Sequence, residues 1–289
     1  MQQLVLSLIL MVMVFAVALE LRVADFRRVA DMPLAILVGL VPQFVLLPIA
    51  TLAAVTLLDL PVAIEAGMLL VACCPGGSLS NVITHYGGGN TAYSVSLSAV
   101  ATLLALALTP FNFAWTMSAN PSTRDWLSGL SLSALEVAAP LVLLLGVPLG
   151  AGLLLSSRRP ALAARLQPTL KAFGFFALAG FILAGLVRDR ALLTASIALP
   201  ALIVVAHNGT GLLLGSGFAR LCGLGERERR AVTIEAGMQN SGLALAIIAL
   251  QFEAAPGMVL IASMWGIWHI VSGLAMAQLW RMKDARSRL

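Results

Sequence analysis

Long apolar stretches, separated by short polar segments, run through the whole chain. An α-helix rises about 1.5 Å per residue, so about 20 apolar residues are enough to cross the hydrocarbon core of a bilayer. Nine stretches of this kind occur, at about residues 3–20, 33–58, 62–84, 91–117, 126–155, 170–187, 191–218, 230–250 and 257–281. The pattern predicts an all-α polytopic membrane protein with about nine transmembrane helices, and residues 1–289 form a single domain.

Composition supports a membrane protein and argues against several other classes. The chain has 289 residues, of which 60% are hydrophobic and 11% are charged, whereas soluble domains have about 25% charged residues. The net charge of +5 comes from short basic clusters between apolar stretches. No basic stripe with interleaved aromatic residues is present, so we expect lipid rather than nucleic acid around the protein.

The placement of Lys and Arg predicts the orientation in the membrane. The odd-numbered loops and the C-terminal tail hold Arg22, Arg27, Arg28, Arg158, Arg159, Arg165, Lys171, Arg220, Arg227, Arg229, Arg230, Arg281, Lys283, Arg286 and Arg288. The even-numbered loops hold Arg124, Arg188 and Arg190. The positive-inside rule then places the C-terminus in the cytoplasm and the N-terminus outside. We expect a multi-pass protein of the cell inner membrane whose first helix is retained, because no Lys or Arg precedes the apolar segment Leu4–Phe15 as in a signal peptide.

Two predicted helices are interrupted by polar and flexible residues. The third contains Cys74–Asn81, with a Pro-Gly-Gly run, and the eighth contains Glu235–Gly242, with a carboxylate and two amides. Exposed polar groups have no water partner in lipid, so both segments must face protein or a water-filled cavity.

The two interruptions occupy matching places in the chain. Residues 3–117 and 170–281 each contain four predicted helices, in opposite orientation, and each set is interrupted in its third helix. Interrupted helices in corresponding halves are the sequence signal of a transporter's midplane binding site. The pattern therefore predicts an inverted repeat, with the stretch at 126–155 as an extra helix.

Oxygen-bearing side chains near the interruptions suit a hard cation such as sodium. These side chains are Ser80, Asn81, Ser94, Ser98, Glu235 and Gln239. Ser94 and Ser98 are spaced i, i+4 and share one helix face. Helix N-termini nearby carry partial positive charge and would favour an anionic substrate.

Plainer interpretations remain open for these residues. Glu235 could reach water at the nearby loop, Pro75-Gly76-Gly77 could be a kink, and serines often bond the preceding turn. The same holds for Gln43 beside Pro42, for Glu136, which we expect to be structural, and for His207, Asn208 and His269, where packing and substrate contact are equally compatible with the sequence. No nucleophile, base and orienting group form a catalytic set, so we expect no enzyme.

At these segments the sequence resembles the bile acid:sodium symporter family. The resemblance rests on Cys74–Val82 and Thr233–Gly242, together with His207-Asn208-Gly209 and Trp268-His269, and it covers nearly the whole chain. It implies a panel domain and a core domain, with two discontinuous helices that cross in the core. The family commonly has Thr at position 98, Val at 236 and Asn at 270, where this chain has Ser98, Ala236 and Ile270. Many bacterial relatives have ten helices, and the resemblance implies that the nine predicted here correspond to all but the first.

The resemblance implies two sodium ions and a substrate cavity beside them. The first ion would be held by Ser80, Asn81, Ser94, Ser98 and Glu235. The second would be held by Gln43, Glu235, Ala236, Met238 and Gln239, with backbone carbonyls at 236 and 238. Substrate contacts would come from Asn240, Pro75, Gly76, Gly77, His269 and Asn208.

The sequence therefore predicts a sodium-coupled symporter of a small organic anion, such as a bile-acid-like, keto-acid or pantoate-like carboxylate, that works by alternating access as a monomer. Two alternatives stay open. One is a sodium-independent metalloid or anion efflux carrier of the same superfamily, with Cys73 or Cys74 as a soft ligand. The other is a membrane receptor that does not transport.

Overall fold

The computed structural model describes residues 2–21, 31–129, 134–188 and 197–287, and every regular element in these ranges is helical. The first helices are α1 (Gln2–Ala18), α2 (Pro33–Val41), α3 (Leu47–Leu58), α4 (Val62–Cys73), α5 (Leu79–Tyr86), α6 (Thr91–Ala119) and α7 (Pro121–Gly129). The remaining helices are α8 (Ala134–Arg158), α9 (Pro160–Arg188), α10 (Ala198–Leu221), α11 (Glu226–Gly237), α12 (Ser241–Gln251) and α13 (Pro256–Arg286). A π-helical segment, Pro42–Leu46, joins α2 to α3.

The helices have the length and composition that a membrane requires. Within the described ranges, five helical stretches are long and apolar enough to cross a bilayer: Pro33–Leu58, Thr91–Ala119, Ala198–Leu221, Glu226–Gln251 and Pro256–Arg286. The prediction of an all-helical fold is confirmed, whereas the count of nine crossings and the inverted repeat stay predictions.

Two helix boundaries differ from the sequence prediction. The stretch predicted at 126–155 is α7 followed by α8, since Pro121 begins a short helix directly after Asn120. Helix α9 begins at Pro160 rather than near residue 170. Proline suits the first helical position because its missing N–H has no partner there. The first turns of α9 contain polar residues, so a search for long apolar stretches does not detect where this helix begins.

Both predicted interruptions are breaks in the helix. Helix α4 ends at Cys73, the next residue, Cys74, has an extended backbone (φ −98°, ψ 98°), and α5 starts after Ser78. Helix α11 ends at Gly237, and α12 starts after Asn240, whose side-chain oxygen accepts a hydrogen bond from the Leu243 amide at 3.0 Å. This side-chain cap satisfies one of the free N–H groups that any helix start exposes.

Small residues bring the helices on either side of the breaks into close contact. A Cβ on Gly67 of α4 would lie 3.0 Å from the Met258 Cα of α13, and a Cβ on Gly257 of α13 would lie 2.8 Å from the Ala63 Cβ of α4. Close backbone approach through small residues is the usual way in which membrane helices associate. Elsewhere, Gly152 of α8 packs on Ala18 of α1, and Gly174 of α9 packs on Met13 of α1. Helices α1, α8 and α9 thus form a second packed group, called here the scaffold.

Several predicted features lie outside the described residues. They are Arg22, Arg27, Arg28, Arg190 and Arg288, and the side chains of Arg188 and Glu136.

Candidate functional site

The two unwound segments, residues 74–78 and 238–240, meet at a crossover. The Asn240 amide donates a hydrogen bond to the Cys74 carbonyl at 3.1 Å. Gly76 is necessary for this approach, because a Cβ there would lie 2.7 Å from the Met238 carbonyl oxygen and 3.1 Å from Glu235 Oε1. The helix breaks therefore leave backbone groups of both segments free to contact each other in the interior of the protein.

Glu235 lies at the crossover and is fully buried, so its carboxylate does not reach the solvent. Ser80 Oγ donates to Glu235 Oε2 at 2.5 Å, and Ser98 Oγ donates to Glu235 Oε1 at 2.7 Å. No cationic side chain among the described residues lies within ion-pair distance of this carboxylate. An uncompensated buried charge costs several kcal/mol, on the order of 3–5 when a partner is missing.

Further oxygens surround the same point. Asn81 Oδ1 lies 2.7 Å from Ser94 Oγ and 3.2 Å from Ser98 Oγ, and Ser94 Oγ lies 3.4 Å from Thr84 Oγ1. A hydroxyl carries one hydrogen, so Ser98 can donate to Asn81 or to Glu235 but not to both. Several oxygens therefore lie within hydrogen-bond distance of one another, but the hydroxyl groups cannot donate to all of the acceptors at once. A hard cation stabilises such a cluster of oxygens.

The residues predicted to hold the second sodium ion include buried oxygens that lack a hydrogen-bond donor in the described part of the chain. Gln43, on the π-helical segment, donates weakly to Gly39 O at 3.4 Å, and Gln239 donates to Ala236 O at 3.1 Å. The oxygens Gln43 Oε1 and Gln239 Oε1 are both buried without a hydrogen-bond partner in the described part of the chain. Buried oxygens are normally satisfied, so both are available to accept a hydrogen bond or to coordinate a cation. The Ala236 and Met238 carbonyls lie in and beside the unwound segment with them.

Three buried polar residues of α10 and α13 that the sequence singled out have different partners. Asn208 Nδ2 donates to Gly237 O at 2.6 Å, and Asn208 Oδ1 is buried without a partner in the described residues. His207 Nε2 lies 2.7 Å from Thr51 Oγ1. His269 Nδ1 lies 2.8 Å from Trp265 O, one turn earlier in its own helix. Asn208 therefore contacts the last residue of α11, directly before the unwound segment, whereas His269 is held by its own helix.

A cavity of about 80 Å³ opens between the crossover and the scaffold. Pro75, Gly76 and Asn240 line it at one end, and Thr102 adds a hydroxyl. Its apolar wall consists of Leu10, Met13, Val14, Val17, Ala105, Leu106, Leu145, Leu149 and Leu243. The site thus combines one polar end, next to the start of α12, with a long apolar wall. Gly77 lies close by, with Asn240 Nδ2 at 3.9 Å from the position of its Cβ.

Some buried polar residues escaped sequence reasoning. Glu65 is fully buried in α4 and accepts hydrogen bonds from the Leu60 amide at 3.0 Å and from Asn120 at 2.6 Å. A lone Glu inside an apolar stretch is a signal that could have found it. Arg230, which we assigned to a loop, is buried in α11 and donates to Asp284 at 2.6 Å. Its charge is therefore paired inside the protein.

The three cysteines are free thiols, and both members of the adjacent pair are buried. Cys73 Sγ lies 4.0 Å from Thr116 Oγ1. Cys74 meets the crossover through its backbone carbonyl. No observation on the described residues favours a thiol ligand at this site.

Comparison with known proteins gives consistent matches. The sequence model of the Sodium Bile acid symporter family matches residues 7–196. The uncharacterized sodium-dependent transporter YocS of Bacillus subtilis is 31% identical over 284 residues, which cover 96% of this chain and 83% of YocS. The probable sodium/metabolite cotransporter BASS1, chloroplastic, of Arabidopsis thaliana is 29% identical over 272 residues, which cover 94% of this chain and 65% of that protein. The human P3 protein is 29% identical over 243 residues, but only 49% of its length is covered.

Proposed function

Because this chain belongs to the Sodium Bile acid symporter family, we propose that it is a sodium-coupled symporter that carries a small organic anion across the cell inner membrane. Its family consists of sodium-dependent transporters, and its apolar helices make it a multi-pass membrane protein. The observation that carries the proposal is the buried Glu235 carboxylate, surrounded by hydroxyl and amide oxygens and without a cationic partner among the described residues.

Two sodium ions bind at the crossover in this mechanism. The first lies among Ser80, Asn81, Ser94, Ser98 and Glu235. The second lies among Gln43, Glu235, Gln239 and the carbonyl oxygens of Ala236 and Met238. The crowded oxygens of the first group and the unpartnered amide oxygens of the second group support this assignment. The ions compensate the buried carboxylate, which would otherwise be costly to hold in a low-dielectric site.

The anion binds in the cavity against the crossover. The start of α12 offers partial positive charge, and Asn240, Pro75, Gly76 and Gly77 lie there. Asn208 bonds to Gly237 at the end of α11, and His269 is the remaining predicted contact. The cavity is far below the roughly 300–1,000 Å³ typical of drug-sized ligands. Its size and apolar wall support a compact carboxylate with an aliphatic body over a steroid.

Transport proceeds by alternating access. Sodium orders the unwound segments, the ordered crossover binds the anion, and the crossover region then moves against the scaffold to open the opposite side. Sodium and anion share the crossover, so each must raise the affinity for the other by the same factor. The basic loops and the C-terminus face the cytoplasm, and one chain is sufficient for the cycle.

The test is a sodium-specific thermal shift of the purified protein, with choline replacing sodium at constant ionic strength. A ligand of the native state raises Tm by mass action. We expect sodium to raise the Tm of the wild type and not of Glu235→Gln. Glu65→Gln is the matched control, because it changes an equally buried carboxylate away from the crossover.

The outcomes separate the alternatives. A sodium response in wild type and Glu65→Gln that Glu235→Gln lacks supports the proposal and justifies a screen of organic anions in sodium buffer. An unresponsive wild type would overturn it. Transport that ignores sodium and stops on thiol blockade would then indicate the efflux carrier, and anion binding without flux would indicate the receptor.

A further inference from the structure

A lysine of the scaffold, held in an ion pair there, donates a hydrogen bond to the first unwound segment. Lys171 of α9 lies 2.7 Å from Glu20 Oε1, just after α1, and its ammonium group also donates to Ser78 Oγ at 2.6 Å. The Gln167 amide donates to the same Glu20 carboxylate. Glu20, Gln167, Lys171 and Ser78 are called here the Lys171 cluster.

The members of the cluster belong to the two parts that the proposed mechanism moves against each other. Glu20, Gln167 and Lys171 belong to the scaffold, where Gly174 of α9 packs on Met13 of α1. Ser78 is the last residue of the first unwound segment and immediately precedes α5. Ser80, two residues later, bonds to Glu235. The Lys171 ammonium therefore contacts the residue that directly precedes α5, the helix that carries the proposed sodium ligands Ser80 and Asn81.

We propose that Lys171 is a positioning residue for transport: with Glu20 it ties Ser78 to the scaffold and closes the cavity at the end where α1 finishes. The proposal rests on the proposed function. When the tie is closed, α5 is held beside the scaffold. When it opens, Ser78 leaves Lys171, and the cavity gains a path along α9 to the side that carries the basic loops.

The exposure of Lys171 and Glu20 suits a contact between Lys171 and Ser78 that must break in every cycle. The Lys171 side chain is 48% exposed and that of Glu20 is 25% exposed. Contacts of solvent-exposed charged side chains shift an equilibrium by only about two- to fivefold, so the hydrogen bond from Lys171 to Ser78 biases the closed state without locking it. Lys171 keeps its ion pair with Glu20 after Ser78 has left, so no charge is stranded when the contact opens.

The experiment measures access to the cavity rather than transport. Thr102 lines the cavity, so Thr102→Cys, in a Cys222→Ser background, reports access to a membrane-impermeant thiol reagent in proteoliposomes. We compare Lys171→Met, which removes the charge and keeps the aliphatic stem, with Lys171→Arg, which keeps the charge. The exchange Glu20→Lys with Lys171→Glu restores an opposite-charge pair in reversed order.

In Lys171→Met, we expect the thiol reagent to label the cysteine introduced at position 102 about two- to fivefold faster from the side of the basic loops. From the other side, labelling should be slower or unchanged. Lys171→Arg should label like the parent, and the charge exchange should reverse most of the change. A residue that only stabilises the fold would lower Tm and leave the ratio of labelling from the two sides unchanged. That unchanged ratio would overturn the proposal, as would a failure of the exchange to restore it.

The outcome is distinguishable from failure of the proposed function. Labelling without sodium tests the tie on its own, whereas a wild type that shows no sodium-specific thermal shift overturns the symport mechanism. The sodium concentration that gives half of the maximal thermal shift should also be higher for Lys171→Met than for Lys171→Arg. The reason is that loss of the contact to Ser78 leaves the neighbouring sodium ligands less well positioned.

Discussion

Ser80 and Glu235 are 155 positions apart in the chain, and their side-chain oxygens lie 2.5 Å from each other. One belongs to the helix after the first break and the other to the helix before the second break. Their contact joins the two interrupted helices through side chains, as the hydrogen bond from the Asn240 amide to the Cys74 carbonyl joins them through the backbone. An ion bound at Glu235 would therefore affect the positions of both helices at once.

Removal of one hydroxyl at this contact should weaken sodium binding. Ser98→Ala removes one of the oxygen ligands proposed for the first ion, and a side-chain contact to a charged group contributes about 1.5–3 kcal/mol. We expect the sodium concentration for half-maximal thermal shift or uptake to rise about tenfold or more, while Ser98→Thr keeps the hydroxyl and the response. Ser96→Ala is the control, because the Ser96 hydroxyl bonds to Ala92 O inside its own helix. An unchanged sodium dependence in Ser98→Ala would contradict the first ion site.

The same substitution at two neighbouring glycines should lower Tm at one position and leave it unchanged at the other. A Cβ at Gly76 would lie 2.7 Å from Met238 O, whereas a Cβ at Gly77 finds its nearest neighbour at 3.9 Å. Forced overpacking of this kind costs about 1–3 kcal/mol. Gly76→Ala should therefore lower Tm and abolish the sodium shift, and Gly77→Ala should keep both. Equal Tm values for the two variants, measured side by side, would show that the segments do not cross as described.

The second ion site predicts a change in cooperativity. Gln43→Leu removes a buried, unpartnered oxygen next to the crossover. If two coupled ions bind, the Hill coefficient of sodium-dependent uptake should fall from near 2 to about 1. Gln251→Leu, at the far end of α12, provides the control. A Gln43→Leu protein with wild-type affinity and cooperativity would remove Gln43 from the site.

Asn240 offers a way to separate helix capping from anion binding. Its side-chain oxygen caps α12 at the Leu243 amide, while its amide nitrogen lies near Gly77. Asn240→Asp preserves the cap, which is worth about 1 kcal/mol, but replaces a donor by a negative charge. We expect it to retain the sodium-specific thermal shift and to lose any additional shift from organic anions. Asn240→Ala should lower Tm as well. Retained anion binding in Asn240→Asp would exclude this residue from the substrate site.

Much of this protein follows from local sequence. Apolar length alone predicts helices such as Thr91–Ala119, because a bilayer accepts few other structures. The Pro-Gly-Gly run and the polar residues after Glu235 predict both helix breaks, since proline and glycine act on the backbone where they stand. The identity of the oxygens in Ser80, Asn81 and Glu235 indicates a hard cation before any fold is known.

Only the tertiary structure decides which of these groups meet. The sequence left open whether Glu235 reaches water, and the fold buries it between Ser80 and Ser98. It equally gave no hint that Lys171, counted among the loop cations, contacts Ser78 and Glu20. Periodicity predicts the face of a helix but not its neighbour, because side chains that lie 93 or 155 positions apart are brought together by helix packing. Local residue types therefore determine the chemistry that is available to this protein, and long-range packing determines where that chemistry is assembled.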